Sequence, residues 1–339
     1  MRILVGLTMS ALMAVAALQA FSPRHTPALA ATRLAVEKIH FNTLVQSKTA
    51  LVAGGELGKL LFSRDQGKDW QPAKLSQDRQ ALITQVVFAS DGLRGLAVGH
   101  EGWILRTTDG GQSWAEVAFD EKNGEPLMSA ANLQGQRWLA VGSFGRALLS
   151  PDDGQTWAPF SLPEGVEDKH MNRIVGSADG KDWLIVGERG LVLRSQDQGE
   201  SWEQLPEFYN GSFYNALALP HDGWLVYGMR GNAFVNRGDG PWQRAEIAAP
   251  ASFFGSAVLP DGSILLVGQG SLVATSQDGG AHFTLSRLSG RATLMDIALQ
   301  PDGSGWLASD AGLMPYSPAA TQDAAAPQAG ASDVAGAKP

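Results

Sequence analysis

One hydrophobic motif recurs along residues 31–318: an apolar pair or triad closed by glycine. Its copies are Leu51-Val52-Ala53-Gly54, Leu96-Ala97-Val98-Gly99, Leu139-Ala140-Val141-Gly142, Leu184-Ile185-Val186-Gly187, Leu225-Val226-Tyr227-Gly228 and Leu265-Leu266-Val267-Gly268. A seventh copy, Leu307-Ala308-Ser309-Asp310, ends without glycine, and the closing residues stand 40 to 45 apart. Short runs with β-strand patterning surround each copy, as in Ile83–Ala89, Gly95–Val98, Ile104–Thr107 and Trp114–Ala118. Four short strands per period of this size predict an all-β chain folded as a β-propeller of four-stranded antiparallel blades. The count is seven. The last repeat holds only three strand patterns, and the orphan run Arg33–Ile39 is expected to supply the missing strand and close the ring. A six-bladed ring with loose ends is the alternative.

A second motif follows the first: Ser/Thr-x-Asp-x-Gly-x-x-Trp/Phe, with its carboxylates at Asp65, Asp109, Asp152, Asp197 and Asp278. The copy around Asp239, Gly240 and Trp242 is one residue short. This resembles the Asp-box, or bacterial neuraminidase repeat. Physically, a short carboxylate accepts backbone N–H groups of its own turn, and glycine supplies a positive φ. The six aspartates are therefore read as structural. No alternating oxygen ligands end in a bidentate glutamate, so no metal is expected.

The ends of the chain differ from this body. Arg2, an apolar run over residues 3–20, a polar stretch and Ala28-Leu29-Ala30 follow the order of a secretory signal peptide, with cleavage expected after Ala30. The body (31–318) is thus expected outside the cytoplasm, in the periplasm or an equivalent space; an uncleaved anchor is the alternative. Residues 319–339 are Ala-rich, lack aromatic side chains and read as a disordered tail. The chain has 339 residues, 44% of them hydrophobic, and a net charge of −8, which argues against a nucleic-acid binder. It has no cysteine, excluding disulfides, thiolate metal sites and cysteine nucleophiles.

No catalytic signature emerges. There is no Gly-x-Ser-x-Gly elbow, no phosphate-binding Gly-Lys-Ser/Thr loop, and the histidines lack metal-ligand spacing. A sialidase-like glycoside hydrolase is the enzymatic alternative. It would need an arginine cluster and a tyrosine nucleophile drawn from Tyr209, Tyr214, Tyr227 and Tyr316. Antiparallel alternation instead gathers the hairpins between second and third strands, and the blade-to-blade connections, on one face. That face collects Arg146, Arg173, Arg189, Arg230, Tyr209, Phe213, Tyr214, Phe253 and Phe254. Arginine and aromatic residues anchor protein interfaces, so these nine are the candidate partner-binding residues, with Arg189 and Arg230 at matching hairpin positions. Phe213, Tyr214, Phe253 and Phe254 could equally begin innermost strands and plug the ring.

The repeat Gly95 to Trp114 carries Gly-x-Ala-Val-Gly-x-x-Gly-x-Ile-Leu-x-Thr-x-Asp-Gly-Gly-x-Ser-Trp. It resembles the photosystem II assembly and stability factor family. The resemblance implies an exported seven-bladed propeller without enzymatic activity or cofactor, which binds a membrane-protein client through an arginine patch. The Gly187-Glu188-Arg189-Gly190 and Gly228-Met229-Arg230-Gly231 hairpins match the family's arginine-bearing turns in kind. The expected function is therefore a monomeric propeller that helps a protein client assemble or stay stable. A passive envelope scaffold for a transporter is a further alternative.

Overall fold

The computed structural model describes residues 2–20, 35–122, 124–238, 240–320 and 322–323. Arg2–Ala20 form an α-helix of 19 residues. No described helix is long and apolar enough to cross a membrane. The cleavage site at Ala30, Asp239 and most of the Ala-rich tail lie outside the described residues.

From Ala35 onward the chain forms seven antiparallel sheets in sequence order. Their innermost strands are Phe41–Gln46, Ile83–Phe88, Leu127–Gln134, Met171–Gly176, Phe213–Leu219, Phe253–Val258 and Leu294–Leu299. Each contacts the next, and the last returns to the first, so the sheets are the seven blades of a closed propeller. The second strands Leu51–Gly55, Gly95–Gly99, Trp183–Gly187 and Ile264–Gly268 are buried at every position. Neighbouring blades cover both faces of these strands, which is why their sequences read as unbroken apolar runs. The hydrophobic core is accordingly a set of wedges between blades; one joins Val52 and Phe62 to Ile83 and Trp103.

Fourth strands are only two residues long in blades one, three, four and five (Gln71–Pro72, Ala158–Pro159, Glu203–Gln204 and Gln243–Arg244). Short edges resist unwanted pairing. The longer fourth strands Ser113–Ala118 and His282–Arg287 are covered instead, by parallel pairing with Lys74–Leu75 and Glu246–Ile247. Gln322–Asp323 adds to the second of these.

Blade seven shows three strands among the described residues, Leu294–Leu299, Gly305–Ser309 and Gly312–Tyr316. The N-terminal segment does lie against Gly312–Tyr316. Its described part differs from the expected strand, however: Val36–Lys38 is a 3-10 turn closed by the Lys38 N–H on the Ala35 carbonyl at 3.0 Å. Pro315, in the strand that would be its partner, has no N–H to offer a fourth strand.

The ring is locked by interblade contacts. The Trp306 indole donates to the Gln66 carbonyl at 2.8 Å and meets Trp70 edge-on at 5.9 Å, joining blade seven to blade one. Gly67 lies so close that a Cβ there would stand 2.1 Å from the Trp306 Nε1. Glycines at the same turn position repeat the contact elsewhere: Gly111 against Val52, Gly154 against Leu96, Gly199 against Leu133 and Gly280 against Val235. Each of these turns thus caps the preceding blade.

The turn carboxylates serve the turns themselves. Asp109 accepts the N–H groups of Gln112 and Ser113, both at 3.0 Å, and the hydroxyls of Thr107 and Ser113. Asp152 does the same with the Thr156 N–H at 2.8 Å and the hydroxyls of Ser150 and Thr156. Asp65, Asp197 and Asp278 accept the N–H four residues on, at 2.9, 2.9 and 3.0 Å. These hydrogen bonds, led by those from residue 156 and residue 201, hold the Asp152 and Asp197 carboxyls at about 2.

Candidate functional site

The glycine that closes each apolar motif, or the residue just after it, has one local task. Carbonyl groups just ahead of the innermost strands crowd Gly55, Gly99, Gly142, Gly187, Gly228 and Gly268, so a Cβ would fall 2.0–2.4 Å from the oxygens of His40, Leu82, Pro126, His170, Ser212 and Ser252. The next N–H donates to that same carbonyl, as Glu188 does to His170 at 3.0 Å. Each hairpin is thereby pinned beside the entrance of its own innermost strand. The hairpins and the ring mouth share one face.

The hairpin tips are Leu57, Glu101, Phe144, Arg189, Arg230 and Gly270, all left-handed with φ between 51° and 66°. Only glycine adopts this conformation freely; an L-residue pays roughly 1–2 kcal/mol. Five of six tips nonetheless keep a side chain; Leu57 (56% exposed), Phe144 (54% exposed), Arg189 and Arg230 project outward, whereas Glu101 is half-buried. Arg189 and Arg230 occupy equivalent tips, as the motif spacing requires. Arg146 does not; it lies two residues past the tip held by Phe144, with its guanidinium against Gly102 of the neighbouring hairpin. Blade seven lacks this tip. Its hairpin turns directly from Ser309 to Gly312, with Asp310 accepting the Thr293 N–H at 2.9 Å.

A second regularity surrounds the axis. All seven innermost strands carry a register irregularity at their second residue: Asn42, Thr84, Met128, Asn172, Tyr214, Phe254 and Met295. A bulge leaves one residue out of the ladder and re-aims its side chain. These seven side chains line one cavity of about 300 Å³, the mouth of the central channel. Leu82, His100 and Arg173 complete its wall. Three of the seven also bridge to the next blade: Asn42 to the Ile83 carbonyl at 2.9 Å, Thr84 to Leu127 at 2.7 Å and Asn172 to Phe213 at 2.7 Å. Tyr214 and Phe254 instead stack on each other, 5.1 Å apart and 25° from parallel.

Arg173 is the third residue of its innermost strand and lines both the mouth and the cavity beneath it. Its guanidinium has no hydrogen-bond or ion-pair partner among the described residues. Across the channel, burial raises the Asp296 carboxyl above its ordinary value, while the Arg173 charge pulls the other way. Asp296 is already engaged by the Leu44 N–H at 3.0 Å, so it does not neutralise Arg173 by contact.

The candidate residues therefore divide. Arg173, Tyr214 and Phe254 meet at the mouth. Arg230 stands close enough to influence the hydroxyls of Tyr214 and Tyr209, both raised chiefly by burial. Phe213 and Phe253 are fully buried: as first residues of innermost strands they fill the wedges between blades, and they present nothing to a partner. Tyr209 is partly buried, packed on Phe213 and Phe234 at 5.2 and 5.4 Å. Arg189 pairs with Asp168 at 2.6 Å on the rim, where both side chains are exposed. The sequence reading missed Asn42, Thr84, Met128, Asn172 and Met295, as well as the Phe144 tip. Each of the five follows the fully buried first residue of its innermost strand, but the bulge that turns it to the mouth carries no local sequence mark.

Seven blades in a closed ring, with an axial mouth lined in phase by every blade, define a seven-bladed β-propeller with a candidate binding mouth on its hairpin face. Residues 91–332, more than half of the chain, match the family model for photosynthesis system II assembly factor YCF48, and the chain belongs to this family. Among solved structures, it is similar to YCF48 bound to a D1 peptide: 21% identity, TM-score 0.65, covering 82% of this chain and 93% of that one. YCF48 from Cyanidioschyzon merolae matches with 16% identity and TM-score 0.65, covering 83% of this chain and 96% of that one. The WD40 propeller of Doa1 gives 12% identity and TM-score 0.64, over 82% and 92%. No curated protein matches the chain.

Proposed function

We propose that the protein is a non-enzymatic, exported propeller that captures a protein client at the channel mouth and supports its assembly or stability. One observation carries this reading: seven bulges turn one residue per blade into a single mouth beside an arginine with no ion-pair partner among the described residues. An extended segment entering the mouth would set a carboxylate, from an acidic side chain or a chain end, on Arg173. Its apolar groups would rest on the Tyr214–Phe254 stack and Met295. Arg230 and Arg189 would act from the rim, steering an acidic segment inward. The bound D1 peptide of the similar YCF48 structure supports a protein client of this kind. The leader pattern and the family suggest that the client is a membrane protein or its extracytoplasmic part and that the propeller acts as a monomer.

The tyrosines offer little to the glycosidase alternative. Burial raises Tyr209, Tyr214, Tyr227 and Tyr316 above their ordinary values, which disfavours the phenolate a nucleophile needs. The test is in-cell crosslinking, affinity capture and mass spectrometry on wild type and on Arg173→Gln with Arg230→Glu. One dominant protein, captured by wild type and lost from the variant, is the expected result. Equal capture by both would overturn the mouth as the site, and no specific protein in either would overturn the client-binding reading.

A further inference from the structure

The residues that follow the seven bulges are Thr43, Gln85, Ser129, Arg173, Asn215, Gly255 and Asp296. Four of them tie the ring together. Thr43, Gln85 and Ser129 accept the N–H of the fourth innermost-strand residue of the next blade: Val86 at 3.1 Å, Ala130 at 2.8 Å and Ile174 at 3.1 Å. Asp296 closes the series on Leu44 of blade one at 3.0 Å. Arg173 holds the equivalent place in blade four but has no acceptor to offer. The N–H that it would serve, on Ala216, turns instead to the Asn215 Oδ1 of its own strand, at 2.8 Å. The arginine thus stands where a clasp would be, and its charge has no partner among the described residues.

Arg173 and Asp296 both line the cavity of about 290 Å³ beneath the mouth. Blades four and seven lie on opposite sides of the ring, so a cation and a carboxylate share this chamber without forming an ion pair. The N–H groups of Leu44 and Ile297 each take one Asp296 oxygen, at 3.0 and 2.9 Å, and the Thr43 hydroxyl adds a third hydrogen bond. A carboxylate has about four acceptor sites, so capacity remains. Burial raises the Asp296 carboxyl and the Arg173 charge opposes that rise; a second cation in the chamber would favour the ionised form further. Between the two charges the wall is apolar and of small or branched side chains, Val87, Ala130, Ala131 and Ile174.

We propose that this chamber binds a small zwitterion, a free α-amino acid with a branched apolar side chain. Its carboxylate would pair with Arg173, its ammonium with Asp296, and its side chain would lie against Ala130, Ala131 and Ile174. A carboxylate without the ammonium would leave Asp296 unmatched, and an amine without the carboxylate would set a second cation beside Arg173. The site shares Arg173 with the client reading but not Asp296, which lines the chamber and not the mouth. An amino acid held here would therefore compete with a client carboxylate for one guanidinium.

The probes are L-valine, isovalerate and isobutylamine, which share one branched chain and differ in the charges they carry. Each is titrated into the full chain by isothermal titration calorimetry at neutral pH. L-Valine should bind about tenfold more tightly than either analogue, the ratio expected for one added charge-assisted contact. Arg173→Gln should erase its advantage over isobutylamine, and Asp296→Asn its advantage over isovalerate. Asparagine keeps an acceptor for the Leu44 N–H, and the three-ligand comparison on wild type decides the matter even if that variant loosens the ring. Client capture should survive Asp296→Asn, so this site and the mouth can fail separately. Equal affinity for L-valine and isovalerate, or no measurable binding of L-valine, would overturn the proposal.

Discussion

The two faces of the propeller use the same charged residue types to opposite ends. On the face of the Ser/Thr-x-Asp turns, every described turn carboxylate is occupied by N–H and O–H donors of its own turn. Asp153, beside one of them, is held by two arginines and an indole. On the hairpin face, Arg173 and Arg230 make no ion pair among the described residues. A charge that closes local structure is unavailable to a partner, whereas Arg173 beside the bulged mouth residues and Arg230 at its left-handed tip are not engaged in that way. Chemistry visible in the sequence as a repeated motif is thus chiefly architectural here. The candidate binding chemistry sits in residues that differ from blade to blade.

The sharpest way to break this contrast is Asp153→Ala. It removes the shared acceptor of Arg94, Arg106 and Trp138 and leaves the partly buried Arg106 without an ion-pair partner among the described residues, while Arg94 keeps Asp91. Loss of one partner from a buried ion network costs about 3 kcal/mol, and chemical denaturation should show a shift of that order. A change below measurement error would mean that solvent already serves these arginines. Next is Gly67→Ala at the ring closure. The residue has φ of 87° and the Trp306 indole where a Cβ would go. Overpacking of this kind costs about 2–3 kcal/mol. Hydrogen exchange should quicken in blades seven and one before the others. Uniform quickening would show that the closure is no weaker than any other seam.

Much of the architecture was legible because it rests on short-range physics repeated at a fixed period. The strands Ile83–Phe88, Gly95–Gly99, Ile104–Thr107 and Ser113–Ala118 match the expected runs closely: two-sided burial makes Gly95–Gly99 a continuous apolar run, and the others show the mixed apolar and polar order of partly buried strands. The N-terminal strand was misread because Val36–Lys38 is apolar and charged in a strand-like order, while the obstacle, Pro315, lies far away in the chain. Arg146 was grouped with Arg189 and Arg230 by proximity to a hairpin. The motif spacing puts Phe144, two residues after Gly142, where Arg189 follows Gly187, and its left-handed φ matches that tip position. Phe213 and Phe254 look alike in sequence, yet one is interior and one lines the mouth. A bulge decides that, and no local sequence rule announces it.

Acid titration tests the turn face more gently. The carboxyls of Asp152 and Asp197, held at about 2 by hydrogen bonds from Thr156 and Ser201, are depressed relative to an unfolded aspartate near ~3.9. A depressed value means a contribution that is complete above the unfolded value and is lost as pH falls towards the folded one. Stability should therefore decline between about pH 4 and pH 2. Asp152→Asn with Asp197→Asn should flatten that decline, and its urea midpoint should converge on wild type at the acid end. Both carboxylates are solvent-facing, so screening keeps the effect smaller than that of Asp153. Parallel curves for the two proteins would show that other groups govern acid unfolding.

The smallest expected effect is also the most telling, because it separates the two faces at single residues. Arg189 and Arg230 hold the same tip position with nearly the same φ, 51° and 56°. Arg189 is paired with Asp168 across an exposed contact of 2.6 Å, an arrangement that adds little to folding. Arg230 has no such partner among the described residues and lies within electrostatic reach of Tyr214 at the mouth. Neither Arg189→Ala nor Arg230→Ala should move the melting temperature beyond error, in contrast to every change on the turn face. Capture of the client should nevertheless fall further for Arg230→Ala, since only that substitution removes an uncommitted charge beside the Tyr214–Phe254 stack. Asp168→Asn should then act in the opposite direction, freeing Arg189 and strengthening capture of an acidic segment. If Asp168→Asn weakens capture instead, the Arg189–Asp168 pair itself is read by the client, and the rim rather than the mouth sets recognition.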